Sequence, residues 1–211
     1  MKRLFYLAAL LALTACGGSL FQSHAPPRAV YVLSATAVPS GPEIPVDLAV
    51  LKPLVRTGLD TDVIAALYPD RRLDYFAGAR WSGRLDDVVR DLALQTFRVR
   101  ANLRNVHAET SAFGSGYWLE IDVADFQAEY AAAQGAVGGG APTVHVHLLA
   151  RVGGSADRRV LGRLEADERQ PAADNRLTAI VEAYNQAAGS ALARIVADTS
   201  ALLAKESGAH E

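Results

Sequence analysis

The stretch Thr143-Val-His-Val-His-Leu-Leu-Ala-Arg151, followed by Gly153-Gly-Ser-Ala-Asp157 and then Arg159-Val-Leu-Gly-Arg-Leu-Glu-Ala166, decides the fold. Val144, Val146 and Leu148 alternate with His145 and His147, the period-two pattern of a strand buried on one face only. The Gly-Gly-Ser-Ala-Asp run is a turn, so Thr143–Arg151 and Arg159–Ala166 are expected to pair as an antiparallel hairpin. Beyond Pro171, Asp174 is placed to cap a long helix. Its apolar stripe is Leu177, Ile180, Val181, Tyr184, Ala188, Leu192, Ile195 and Val196. A hairpin followed by a helix therefore closes the chain, with a polar end, Ser207–Glu211, expected to fray.

Working back from the hairpin, Tyr117, Leu119, Ile121 and Val123 alternate with Trp118, Glu120 and Asp122. Phe126 falls on the opposite parity, which predicts a bulge near Ala124-Asp125. Leu103–Ala108 reads as a strand, and Ala131–Ala141, rich in alanine and glycine, reads as a loop. Upstream, Leu85, Val88, Val89, Leu92 and Phe97 recur at helical spacing and predict a helix over Arg84–Arg98. Ser82 is its expected N-cap, and Asp86 and Asp87 fall in the first turn, where the helix dipole favours carboxylates. Ala29–Leu33 is the first expected strand. Val46, Leu48 and Val50 mark a second, which Pro45 should begin or confine to an edge after the Pro39–Pro42 turn. Asp62–Tyr68 and Arg72–Phe76 are expected to form a hairpin around Pro69-Asp70.

The two helices echo one another: Arg84-Leu85 before Val88-Val89 matches Arg176-Leu177 before Ile180-Val181. The expected class is α+β, a mixed, mainly antiparallel sheet with two main helices packed on one face. A duplicated strand–strand–helix unit is the most economical arrangement of these elements.

The N-terminus carries an address. Lys2 and Arg3 precede the apolar run Leu4–Leu13, and small residues follow it. This is the form of a secretory signal, and its run of about ten residues is far short of the roughly twenty a transmembrane helix needs. Leu13-Thr-Ala-Cys16 resembles a bacterial lipobox, which implies cleavage between Ala15 and Cys16, an S-diacylglycerol on Cys16 and N-acylation of its new amino group. Cys16 is the only cysteine, so it has no disulfide partner within the chain. Two or three acyl chains anchor firmly where one is marginal. Gly17, rather than aspartate, follows Cys16, which by the enterobacterial sorting rule favours the outer membrane. The expected organisation is a signal peptide over 1–15, a lipidated tether over 16–28, one domain over 29–205 and a frayed end over 206–211. Gly, Ser and Pro dominate the tether.

The formal charge is −2, and loss of Lys2 and Arg3 with the leader leaves 19 basic against 23 acidic residues, near −4. That balance argues against a nucleic-acid partner. No catalytic constellation is evident. There is no Gly-x-Ser-x-Gly elbow, and Gly138-Gly-Gly140 lacks the following lysine of a phosphate-binding loop. His107-Ala-Glu109 matches half of a zinc-deaminase pattern whose cysteine half is impossible with one cysteine. His145 and His147 point to one strand face and are the best metal pair, but no third ligand is evident, and solvated histidines are the expectation. His24 and His210 lie near the termini. Tyr31, Tyr75, Phe76, Trp81 and Phe126 are expected in the core, whereas Trp118 faces away from its strand's apolar stripe, towards a helix or a partner. No cofactor is expected.

Five segments in order give the chain a likeness: the lipobox at Cys16; Val30-Tyr-Val-Leu33; Tyr75 with Trp81 and Leu85; Val123-Ala-Asp-Phe126; and Ala183-Tyr-Asn185. Together they resemble the ABC-type transport auxiliary lipoproteins, the PqiC-like (YmbA-like) group, with the glycine-rich Gly135–Ala141 as a departure. The resemblance implies a non-enzymatic, periplasm-facing outer-membrane lipoprotein of an MCE-type lipid transport system that supports envelope integrity. It would dock an MCE-domain protein and inner-membrane transporter components, and ring-like homo-oligomers are compatible with the group. Two other readings stand beside it. One is a lipid carrier with its own acyl-chain pocket, and the other is a metal-dependent envelope enzyme using His145 and His147.

Overall fold

The computed structural model describes residues 28–36, 43–109, 114–132 and 140–208. The expected signal peptide, Cys16, most of the expected tether, the turn expected at Pro39–Pro42, Gly138, Gly139 and His210 lie outside the described residues. In chain order the elements are β1 (Ala29–Tyr31), β2 (Ile44–Val50), β3 (Leu54–Val55), β4 (Val63–Leu67), β5 (Leu73–Trp81), α1 (Leu85–Arg100), β6 (Leu103–Ala108), β7 (Tyr117–Glu129), β8 (Thr143–Gly154), β9 (Val160–Pro171) and α2 (Leu177–Gly208).

One strand organises the sheet. β7 pairs antiparallel with β8 along its whole length, from Tyr117↔Gly154 to Glu129↔Thr143. Its other edge is shared by three short parallel strands set end to end: β2 opposite Tyr117–Leu119, β3 opposite Asp122 and Val123, and β4 opposite Ala128 and Glu129. The β8–β9 hairpin extends the sheet on one side. On the other, β6 lies parallel to β2, and β5 lies antiparallel to β4 with β1 parallel beyond it. The sheet is mixed: the long β7–β8 and β8–β9 ladders and the β4–β5 ladder are antiparallel, and the remaining, shorter ladders are parallel. The bulge expected near Ala124-Asp125 is present, since the β7–β8 register slips between Val123 and Asp125.

The structure departs from expectation at several points. Of the two places expected for Pro45, the structure shows the strand start, one residue into β2, and not an edge, since β2 is flanked on both sides by β6 and β7. Pro45 sits where the β2–β6 register slips between Ile44 and Asp47, a place that needs no ladder N–H from it. β5 runs on to Trp81, longer than the hairpin read around Pro69-Asp70. The residue flanking α1 is Arg84, not Ser82, and it makes no side-chain cap. The Leu85 N–H is satisfied by the Thr61 carbonyl at 3.0 Å, so a tertiary contact replaces the local cap. Asp86 does occupy the first turn. It is 6% exposed, accepts from the Asp87 N–H and pairs with Lys52 at 2.9 Å. α2 runs to Gly208, which places Ser207 within the helix.

Both helices cover one face of the sheet. α2 lies across β8 and β9 and reaches β2, α1 lies against β2, β3 and β6, and the helices touch each other. The apolar parity of β7 and β8 (Leu119, Ile121, Val123, Val144, Val146, Leu148) meets Ile180, Tyr184, Leu192 and Ile195 of α2, all at 0–1% exposure. Trp81, Phe126 and Tyr184 form an aromatic cluster in this layer. Trp81 stands edge-on to Tyr184 at 5.1 Å and to Phe126 at 6.0 Å.

Candidate functional site

Alternation along β7, β8 and β9 leaves the opposite sheet face polar, and among the described residues no helix covers it. Trp118, Glu120, Asp122, Asp125, Gln127 and Glu129 project there from β7, beside His145, His147 and Arg151 of β8. The bulge keeps this face continuous, because it moves Asp125, Gln127 and Glu129 onto the face that Glu120 and Asp122 began.

The histidines are not the solvated pair expected. His145 is 6% exposed. Its Nδ1 lies 2.9 Å from Glu129 Oε1 and its Nε2 lies 2.8 Å from Asp167 Oδ1. Arg169 Nη2 also approaches Nδ1, at 3.1 Å. His147 stacks nearly parallel to it at 6.2 Å, with Nε2 2.9 Å from Glu165 Oε1. The carboxylates come from the two strands flanking β8, Glu129 from β7 and Glu165 and Asp167 from β9, which is why no local spacing announced them. They engage opposite edges of the His145 ring and therefore do not converge on one ion. Among the described residues no group of three His, Cys, Asp or Glu side chains is arranged to hold a metal. His107 of β6 lies elsewhere, with its Nε2 3.3 Å from Ser115 Oγ.

Gln127 is 1% exposed and ties the network together. Its Nε2 donates to Asp125 Oδ1 and Glu129 Oε1, both at 3.0 Å, and its Oε1 accepts from the Phe126 N–H. Burial alone would raise the Glu129 carboxyl, but Arg169, Gln127 and His145 outweigh it and hold that carboxyl below the usual range. Next to this network opens a cleft of about 540 Å³. The β4–β5 turn (Tyr68, Pro69, Arg71) walls it on one side, and Asp125, Gln127, Glu129 and His145 line the other. Tyr68 and Tyr130 stack at 5.1 Å beside it, and Arg72 lies over the Tyr68 ring.

Trp118 covers neither a helix nor the core. It lies over Gly153 of β8, donating from Nε1 to the Gly154 carbonyl at 3.2 Å. Tyr75, expected in the core, is 40% exposed, and its hydroxyl donates to the Gly58 carbonyl at 2.8 Å. Its neighbour Phe76 takes the inward place. Trp81 and Phe126 are buried, and Tyr31 packs against the core.

The last of the segments that carried the resemblance, Ala183-Tyr-Asn185, is a fastening. The Tyr184 hydroxyl donates to the Ala65 carbonyl at 2.8 Å across 119 residues of chain, and Asn185 Oδ1 accepts from the Ser34 N–H at 2.9 Å just beyond β1. A family model for the ABC-type transport auxiliary lipoprotein component matches residues 31–196. The chain belongs to that family. As an auxiliary lipoprotein of ABC-type transport, it shares its fold with solved structures at low identity. Protein XCC0632 from Xanthomonas campestris, of the DUF330 family, is 23% identical with a TM-score of 0.74, over 85% of this chain and 99% of that one. The hypothetical protein CT253 from Chlamydia trachomatis is 9% identical with a TM-score of 0.51, over 75% and 98%. No curated protein matches the chain.

Proposed function

We propose that this auxiliary lipoprotein is a non-catalytic docking component of an MCE-type lipid transport system. It is lipidated at Cys16 and held on the periplasmic face of the outer membrane, where it supports envelope integrity. The observation that carries the reading is the family match over 31–196 downstream of the lipobox-like Leu13-Thr-Ala-Cys16. A charged sheet face opposite the helices, which no helix covers among the described residues, supports docking, because such a face offers partners ion pairs. The clefts lined by Glu120 with Arg151, by Arg56 with Glu129, and by Arg100 with Glu182 open among charged groups, which suits docking better than carriage of an acyl chain.

Pull-down from envelope extracts with lipidated bait should recover an MCE-domain protein, and repeated failure with intact bait would count against the docking role. Cys16→Ser should leave the precursor unprocessed or release the protein from the membrane fraction. A Cys16→Ser protein that stayed processed and anchored would refute the lipidation site.

A further inference from the structure

The cleft beside the β4–β5 turn contains an arginine in a place that favours glycine. Arg71 closes the turn, donating its N–H to the Tyr68 carbonyl at 2.9 Å, and has φ 65°. A turn followed by a left-handed residue ordinarily takes glycine, because a Cβ crowds the backbone there. Arg71 nonetheless lines the cleft, and among the described residues its guanidinium makes no hydrogen bond or ion pair. Arg56, at the end of β3, lines the same cleft and binds Asp125 through Nη1 at 3.0 Å. The two carboxylates of the lining are already engaged, Asp125 by Arg56 and Gln127, and Glu129 by Arg169, Gln127 and His145. Gln127 and His145, both more than nine-tenths buried, are fixed by those bonds. Leu67, Pro69 and Leu73 add an apolar wall.

We propose that this cleft binds a phosphate ester, with the oxyanion held by Arg71 and Arg56 and the organic part against Leu67, Pro69 and Leu73. Guanidinium forks match phosphate oxygens, and two of them suit a tetrahedral, multiply charged group better than a lone carboxylate. The volume of about 540 Å³ exceeds a bare ion and accommodates a headgroup-sized ester. The site does not depend on the anchor at Cys16 or on any transport partner.

The test is a titration of the purified full-length protein followed by backbone amide NMR shifts, using glycerol 3-phosphate and dihexanoyl phosphatidylglycerol as probes. Saturable shifts at Gln127, Glu129 and Leu73 are expected. Arg71→Gly should weaken them at least about tenfold, the loss of one charged hydrogen-bonding group. Its melting temperature should hold or rise, because glycine suits the turn. Arg71→Gln, which keeps the backbone cost, should lose binding equally. Tighter binding of the phosphatidylglycerol identifies a lipid headgroup as the source, and equal or tighter binding of glycerol 3-phosphate identifies a free ester. No saturable shift with either probe, or wild-type affinity in Arg71→Gly, overturns the proposal.

Discussion

Replacing Tyr184 by phenylalanine removes one oxygen from the centre of the molecule and nothing else. The hydroxyl is fully buried and donates to the Ala65 carbonyl at 2.8 Å, close to where the β4–β5 ladder slips between Val63 and Ala65. Burial pushes the Tyr184 phenol well above its ordinary range, so it is the neutral donor at any physiological pH. The ring contacts with Trp81 and Phe126 survive the substitution, so no cavity term enters. What is lost is one buried hydrogen bond to a carbonyl that keeps its ladder donor, because the parallel Ala66↔Ala128 pairing brings the Ala128 N–H to Ala65, a net cost of about 0.5–1.5 kcal/mol. For a domain of this size each kcal/mol lowers Tm by roughly 2–4 °C, so Tyr184→Phe should melt roughly 1–6 °C below wild type. Urea unfolding followed by tryptophan fluorescence is well placed to read it, because Trp81 sits 5.1 Å from Tyr184. Unchanged or raised stability would refute the reasoning, since the buried hydrogen bond would then contribute nothing.

Gly153→Ala should destabilise by about 2–3 kcal/mol in the same assay. A Cβ there would sit 2.2 Å from the Trp118 ring and 2.7 Å from the Arg159 carbonyl, so the β8–β9 turn or the indole must move. Trp118 fluorescence should shift with it, and an unchanged melt would show that the indole swings away freely. The Glu129 carboxyl is held below its usual range, so its contribution to stability is present at neutral pH. That contribution is lost as pH falls from about 5 through the depressed folded value. Glu129→Gln should therefore flatten the acid limb of a stability–pH curve, and an unaltered limb would show that Arg169 and His145 do not favour the ionised form.

Much of the fold was legible because it rests on local periodicity. The β8–β9 hairpin, both helices and the β7 bulge followed from alternation and phase along single segments. β3 was not legible. It is two residues long and exists because β7 offers it an edge at Asp122 and Val123. The α1 start was misplaced onto Ser82 because the group that satisfies Leu85 is the Thr61 carbonyl, which local sequence does not reveal.

The candidate site divides along the same line. His145 and His147 were visible as a same-face pair, but alternation assigns a face and says nothing of what closes over it. Asp167, Glu165 and Arg169 arrive from β9, and Glu129 from β7, so burial of His145 is a property of three strands in register. Arg71 left one trace, a Pro-Asp turn lacking its expected glycine. By itself the sequence determined the main element types and their apolar faces, because each is written in neighbouring residues. Only the tertiary structure decided which charges meet across β7, β8 and β9 and which arginines face one cleft, because those pairings depend on register between strands far apart in the chain.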